Sequence, residues 1–181
     1  TRCSHFTLVD GVKTPLVEKL TVEATMRLPQ DLASRQDTAR TPLSIRLVCE
    51  LRHDDPNLYV EASLENSHCD HRLRLLIGSD VHTRHAIASQ PFAIIQRETG
   101  YDGEHWQERY REKPVDIETS EGIIAVTEPG KALVVTSRGM KEFQIIGSEP
   151  AAIALTMFKS TGVLGRSDLE WRPGRASGIN N

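Results

Sequence analysis

The 181-residue chain is predicted to be all-β, an antiparallel β-sandwich. Three observations predict this. Many short segments alternate apolar and polar residues with period two, the pattern of a half-buried strand. Turn-forming residues punctuate them at short intervals. No stretch carries the 3.6-residue apolar period of a packed helix face. A chain of this length buries one substantial core, so residues 1–181 are expected to form a single domain.

The elements follow in order. His5–Val9 is a short strand that ends at the turn pair Asp10-Gly11. Leu16–Leu28 is a long strand with one wet face: Leu20, Val22, Ala24, Met26 and Leu28 share one side, and Lys19, Thr21, Glu23, Thr25 and Arg27 the other. Gln30–Pro42 is polar and aperiodic, a loop. Leu43, Ile45, Leu47, Cys49 and Leu51 alternate with Ser44, Arg46, Val48, Glu50 and Arg52. His53–Asn57 is a turn, and Leu58–Leu64 alternates again, so these two strands make a hairpin. Next comes Asn66–Ile77, in which a polar cluster enters a strand with Leu73, Leu75 and Ile77 on one side. It is expected to join the two halves of the sandwich.

Gly78–Ser89 reads as irregular, and Phe92–Ile95 as a short apolar run ending at Gln96-Arg97. Glu98–Pro114 is polar but holds Tyr101, Trp106 and Tyr110; it has too few apolar residues for a packed helix and reads as an exposed functional loop. Ile123–Val126, Ala132–Thr136 and Phe143–Ile146 are further strands, with turns at Pro129-Gly130 and near Arg138-Gly139. Ile153, Leu155 and Met157 close the series, and the chain past Ser160 is Gly-rich and basic.

Composition narrows the function. The formal net charge of −3 gives no reason to expect nucleic acid or an anionic membrane as partner. No apolar run reaches the roughly 18 residues of a membrane span. Thr1–Asp10 lacks the basic start and apolar core of a signal peptide, and no Asn-x-Ser/Thr site appears. Cys3, Cys49 and Cys69 are odd in number and widely spaced, as in reduced cytoplasmic proteins. The first residue is not Met, and the sequence reads as an excerpt from a longer chain.

Chemistry-bearing residues are few. His68, Cys69, Asp70 and His71 include every favoured ligand type for a metal, but neighbours on an extended segment point to opposite faces. At most two of them could share an ion, whereas zinc sites draw ligands from separated segments. Glu104, Glu108, Glu112 and Asp116 offer carboxylates for glycoside hydrolysis, yet no pair is singled out by spacing. Nucleophile-elbow, phosphate-loop and dinucleotide motifs are absent. No catalytic residue and no metal site is expected in these residues.

Two segments resemble a known family. Leu64-Glu65-Asn66 followed by Asp70-His71-Arg72-Leu73-Arg74-Leu75 is similar to a Leu-x-Asn-x-x-x-Asp-His-Arg-Leu-Arg pattern. That pattern occurs in the C-terminal β-domains of family 38 glycoside hydrolases, the α-mannosidases. The run Leu155–Leu169, with Arg172-Pro173-Gly174-Arg175 after it, resembles the same family's closing motif. Its ending, and Gly139–Gly147, resemble the bacterial mannosylglycerate hydrolase branch.

The resemblance implies part of a galactose mutarotase-like supersandwich. It implies a parent enzyme that hydrolyses α-mannosides with retention. Zinc, nucleophile and acid/base would all lie in an N-terminal catalytic α/β domain, the partner of this one, and the isolated fragment would be inactive. It implies that Arg97, after the apolar strand Phe92–Gln96, reaches the sugar cleft and donates paired hydrogen bonds to sugar hydroxyls or to a glycerate carboxylate. Ser89-Gln90-Pro91 departs from the Asp-Thr-Gln common in the bacterial branch. Trp106 is a second candidate, since an indole can stack on a sugar face. Arg166, Arg172 and Arg175 are expected to pair with carboxylates such as Asp168 and Glu170 at an interdomain contact. An independent carbohydrate-binding module is the alternative, but at 5% aromatic residues the chain shows no row of stacking rings. A homo-oligomer is left open.

Overall fold

The computed structural model describes residues 3, 5–100, 106–108, 110, 114–164 and 175–176. They are all-β, with three four-stranded antiparallel sheets and a two-stranded one. Helix is limited to two short 3-10 turns, Ala33–Gln36 and Trp106–Glu108. No helix among the described residues is long and apolar enough to cross a membrane. The chain forms two compact units: residues 1–71 with 160–181, and residues 72–159 between them.

The first unit is built on a sheet of β1 (Thr7–Lys13), β2 (Val17–Leu28), β3 (Thr41–Arg52) and β4 (Leu58–Leu64), in that spatial order. The expected turn at Asp10-Gly11 is not one. β1 runs on through both residues with a register shift between Leu8 and Asp10. The reversal falls at Thr14, whose hydroxyl accepts the amides of Leu16 (3.3 Å) and Val17 (3.0 Å). Threonine thus supplies the local acceptor that turn chemistry needs. The expected β3–β4 hairpin forms as read. Asp55 closes its turn, accepting the Asn57 amide (2.9 Å) and the Tyr59 hydroxyl (2.7 Å). The unit is completed by a two-stranded hairpin, β13 (Val163–Leu164) with β14 (Arg175–Ala176).

The second unit is a sandwich. One sheet is β10 (Lys131–Thr136), β9 (Ile123–Glu128), β6 (His85–Gln90), β7 (Ala93–Glu98). The other is β5 (Arg72–Gly78), β12 (Ala152–Lys159), β11 (Glu142–Ile146), β8 (Ile117–Thr119). Both contribute to one core. Ala86, Ala88, Ile124 and Val126 come from the first, and Phe143, Ile145, Ile153 and Leu155 from the second. β12 is central in its sheet, and four successive residues, Ile153 to Thr156, are buried rather than alternating.

Four strands among the described residues were not expected from the sequence. β6 lies where an irregular segment was read, β8 lies in residues 115–122, for which no element was read, and β13 and β14 lie in the Gly-rich, basic stretch past Ser160. Alanine and serine are weak strand formers, so β6 carries its pattern in Ala86 and Ala88, which alternation scans barely register. Packing against the facing sheet overrides the propensity.

Candidate functional site

The register of β6 with β7 places Ala86 opposite Arg97 and Ala88 opposite Ile95. Opposed residues share a face of the sheet. Arg97 therefore stands on the core side of β7, at the end of the strand. The two alanines are short, and Phe143 and Ile145 of the other sheet line the same space. A cavity of about 400 Å³ results. It falls within the roughly 300–1,000 Å³ of small-molecule sites.

The cavity has an apolar floor and a charged rim. Arg84, Arg97, Glu98, Asp116 and Glu118 supply the charges. Arg97 Nη1 donates to Glu118 Oε2. Both side chains are partly exposed, 41% and 33%, so the pair adds at most about 1 kcal/mol to stability. Its effect is to hold the guanidinium fork at the cavity mouth. Two arginines face three carboxylates on this rim. That balance suits a neutral polyhydroxylated ligand better than an anion, because a ligand carboxylate would meet net negative charge.

Trp106 is half-buried in its 3-10 turn, where its carbonyl accepts the Tyr110 amide (2.9 Å). It does not line the cavity. Among the four carboxylates considered from the sequence, Asp116 is on the cavity rim and Glu108 is in the Trp106 turn. Glu104 and Glu112 lie outside the described residues, as do Arg166, Asp168, Glu170, Arg172 and the side chain of Arg175.

The His68–His71 cluster builds structure. His68 is fully buried; its Nε2 pairs with Thr41 Oγ1 (2.7 Å) and its Nδ1 with Ser67 Oγ (3.2 Å). The Asn66 side chain donates to the His68 carbonyl (2.9 Å) and accepts its amide (3.3 Å). Asp70 takes a left-handed backbone with φ 54°, and its Oδ1 accepts the Gly162 amide (2.8 Å). Ser160 donates its amide to the His71 carbonyl (2.8 Å). The two motif segments singled out in the sequence, 64–75 and 155–169, are thus hydrogen-bonded to each other. Burial pushes the His71 imidazolium below its ordinary range. Among the described residues no group of three or more His, Cys, Asp and Glu side chains could hold a metal ion.

Sequence reasoning missed the residues that make Arg97 usable. Glu118 sits on a three-residue strand, and Ala86 and Ala88 on the unrecognised β6. The signal available for β6 was the small-residue alternation Ala86-Ile87-Ala88.

No family model matches the chain. Solved structures do share its fold. An alpha-mannosidase from Enterococcus faecalis V583 matches 90% of this chain with a TM-score of 0.73 at 18% identity. A protein in glycosyl hydrolase family 38 from Enterococcus faecalis matches 90% with a TM-score of 0.71, also at 18% identity. The chain shares the fold of about a fifth of each of these solved chains. A curated relative from Halalkalibacterium halodurans, described as a "Putative mannosylglycerate hydrolase", is 23% identical over 135 residues, or 75% of this chain. This chain spans 19% of each solved family 38 chain and 14% of the curated relative.

Proposed function

We propose that these residues are a non-catalytic β-sandwich domain of an α-mannosidase-like retaining glycoside hydrolase. The domain buttresses an N-terminal catalytic domain elsewhere in the parent chain. It lends Arg97 to the rim of the sugar site. The observation that carries this reading is a shared fold over 90% of the chain with an alpha-mannosidase of which the match covers only 19%.

Arg97 acts by position. Held by Glu118, its fork presents N–H donors at the mouth of a cavity of about 400 Å³. A neutral α-mannoside suits the rim charge. Mannosylglycerate fits only with its glycerate carboxylate pointed away from Glu98, Asp116 and Glu118. Trp106 serves, in the same reading, as an aromatic surface on the loop beyond β7. Zinc, in the same reading, belongs to the catalytic domain. A cytoplasmic location agrees with three free cysteines.

The test is hydrolysis of p-nitrophenyl α-mannoside and of mannosylglycerate, by the parent chain and by residues 1–181 side by side. Activity is expected in the parent alone. Turnover by residues 1–181 would place a catalytic pair here and overturn the domain assignment. Arg97→Ala in the parent is expected to lower kcat/KM about tenfold or more, the loss of one charge-assisted hydrogen bond of roughly 1.5–3 kcal/mol. Unchanged kcat/KM would remove Arg97 from the site.

A further inference from the structure

The β6–β7 wall of the cavity carries a second arginine. Pairing continues past the start of β6 by one hydrogen bond, from the Thr99 amide to the Arg84 carbonyl (2.7 Å). Arg84 is thus opposite Thr99, as Ala86 is opposite Arg97. Alternate residues of a strand share a face, and all four of these line the cavity. Arg84 and Arg97 are then diagonal neighbours on that face, about 7–8 Å apart at the backbone, within reach of one small ligand.

The two guanidiniums are not equivalent. Arg97 is engaged by Glu118. Arg84 is exposed, and among the described residues its side chain has no hydrogen-bond or ion-pair partner. Glu118 is on β8 and Asp116 just before it, in the facing sheet. Glu98 alternates with Arg97 and Thr99 along the chain. The face that carries Arg84 therefore presents a free fork of N–H donors, with the Thr99 hydroxyl opposite it and no carboxylate. A planar guanidinium matches a carboxylate through two parallel N–H donors.

We propose that Arg84 is a specificity-determining residue, which takes the carboxylate of a ligand whose sugar lies against Arg97. The inference rests on the reading above that this cavity belongs to a sugar site. The excess negative charge of the rim disfavours a carboxylate set beside β8. Arg84 is the place where one is accepted. The ligand class is a mannoside whose aglycone bears a carboxylate, and a neutral aglycone gains less from the same contact.

The first test is modification of the parent chain with phenylglyoxal, read residue by residue by mass spectrometry. Arg84 is expected to be labelled ahead of Arg97, which Glu118 engages. D-glycerate is expected to slow the labelling of Arg84, and glycerol, its neutral counterpart, to leave the rate as it was. No slowing by glycerate, or equal slowing by both, would overturn the proposal. The second test is kinetic. In the parent, Arg84→Ala is expected to lower the ratio of kcat/KM for mannosylglycerate to kcat/KM for p-nitrophenyl α-mannoside about tenfold, the loss of one charge-assisted hydrogen bond. Arg84→Lys is expected to recover part of that ratio and Arg84→Gln none. A wild-type ratio in Arg84→Ala would overturn the proposal even where both values fall. Protection by glycerate without hydrolysis of either substrate retires the α-mannosidase reading alone; hydrolysis with Arg84 unprotected retires the Arg84 proposal alone.

Discussion

Asp70 shows how one residue can hold two segments. A non-glycine residue at φ 54° is uncommon, and Asp and Asn tolerate it best. Its carboxylate then meets the Gly162 amide. Asp70→Ala removes the acceptor and leaves a methyl-bearing residue in the left-handed region, so a loss of about 1–3 kcal/mol is expected. Asp70→Asn, which keeps both features, is expected to stay near wild type; urea midpoints of the two variants decide. His71 adds a pH dependence. Burial lowers its folded pKa below 6.5, so the folded state favours the neutral ring. Its contribution is complete above pH 6.5 and is lost as the pH falls through the lower folded value. Urea midpoints measured from pH 7.5 down to 5 are expected to fall less in His71→Gln than in wild type. A sequence shows that His68, Cys69, Asp70 and His71 are adjacent, and their extended spacing already argued against one shared ion. It could not show Thr41 beneath His68 or Gly162 against Asp70, because both are contacts across the fold. Arg97 was legible only through a resemblance, and its partner Glu118 not at all.

Strands were legible where both faces differ in polarity. β2, β3 and β4 were found with nearly their observed bounds because charged and aliphatic residues alternate along them. β6 was not, because its inward residues are alanines, and the cavity exists for the same reason. The hairpin of β6 and β7 turns at Pro91-Phe92, with Phe92 at φ 67° and fully exposed. Proline suits the first turn position; the second calls for glycine. A phenylalanine there bears left-handed strain and has no packing to lose. Phe92→Gly is expected to raise stability by about 1 kcal/mol, read as a higher midpoint in urea. An unchanged or lower midpoint would mean that the ring makes a contact worth more than the strain. Gly122 is the opposite case. At φ 121° it immediately precedes β9, and a Cβ there would lie 2.7 Å from the Ser137 carbonyl oxygen, so only glycine is accommodated.

The sequence reading placed one domain over residues 1–181, and nothing in composition marks the two points where the chain passes between units. Both fall at strand ends, His71–Arg72 and Lys159–Ser160, without a Gly- or Pro-rich linker. Contact across the fold defines the units, and spacing along the chain does not carry it. The class was nonetheless readable, since alternation and turns determine all-β before any topology is known. The passage between units bears on the order in which the protein folds. The first unit is left at His71 and rejoined at Ser160, and the Ser160 amide bonds the His71 carbonyl. Arg72 and Lys159, the ends of the inserted unit, are opposite each other on paired strands. Closing an unstructured loop of about ninety residues would cost on the order of 4 kcal/mol in chain entropy. A folded insert delivers its two ends side by side and relieves that cost. During synthesis β1–β4 emerge first, yet their last segment arrives only after the insert has been made. Pulse-labelling hydrogen exchange is expected to find the Ser160 amide protected after those of β5 and β12. Protection in the reverse order would mean that the ends are held before the insert folds. A lesion deep in the second unit would then act at a distance: it would leave the growing chain with its first sheet formed and its closing segment untied.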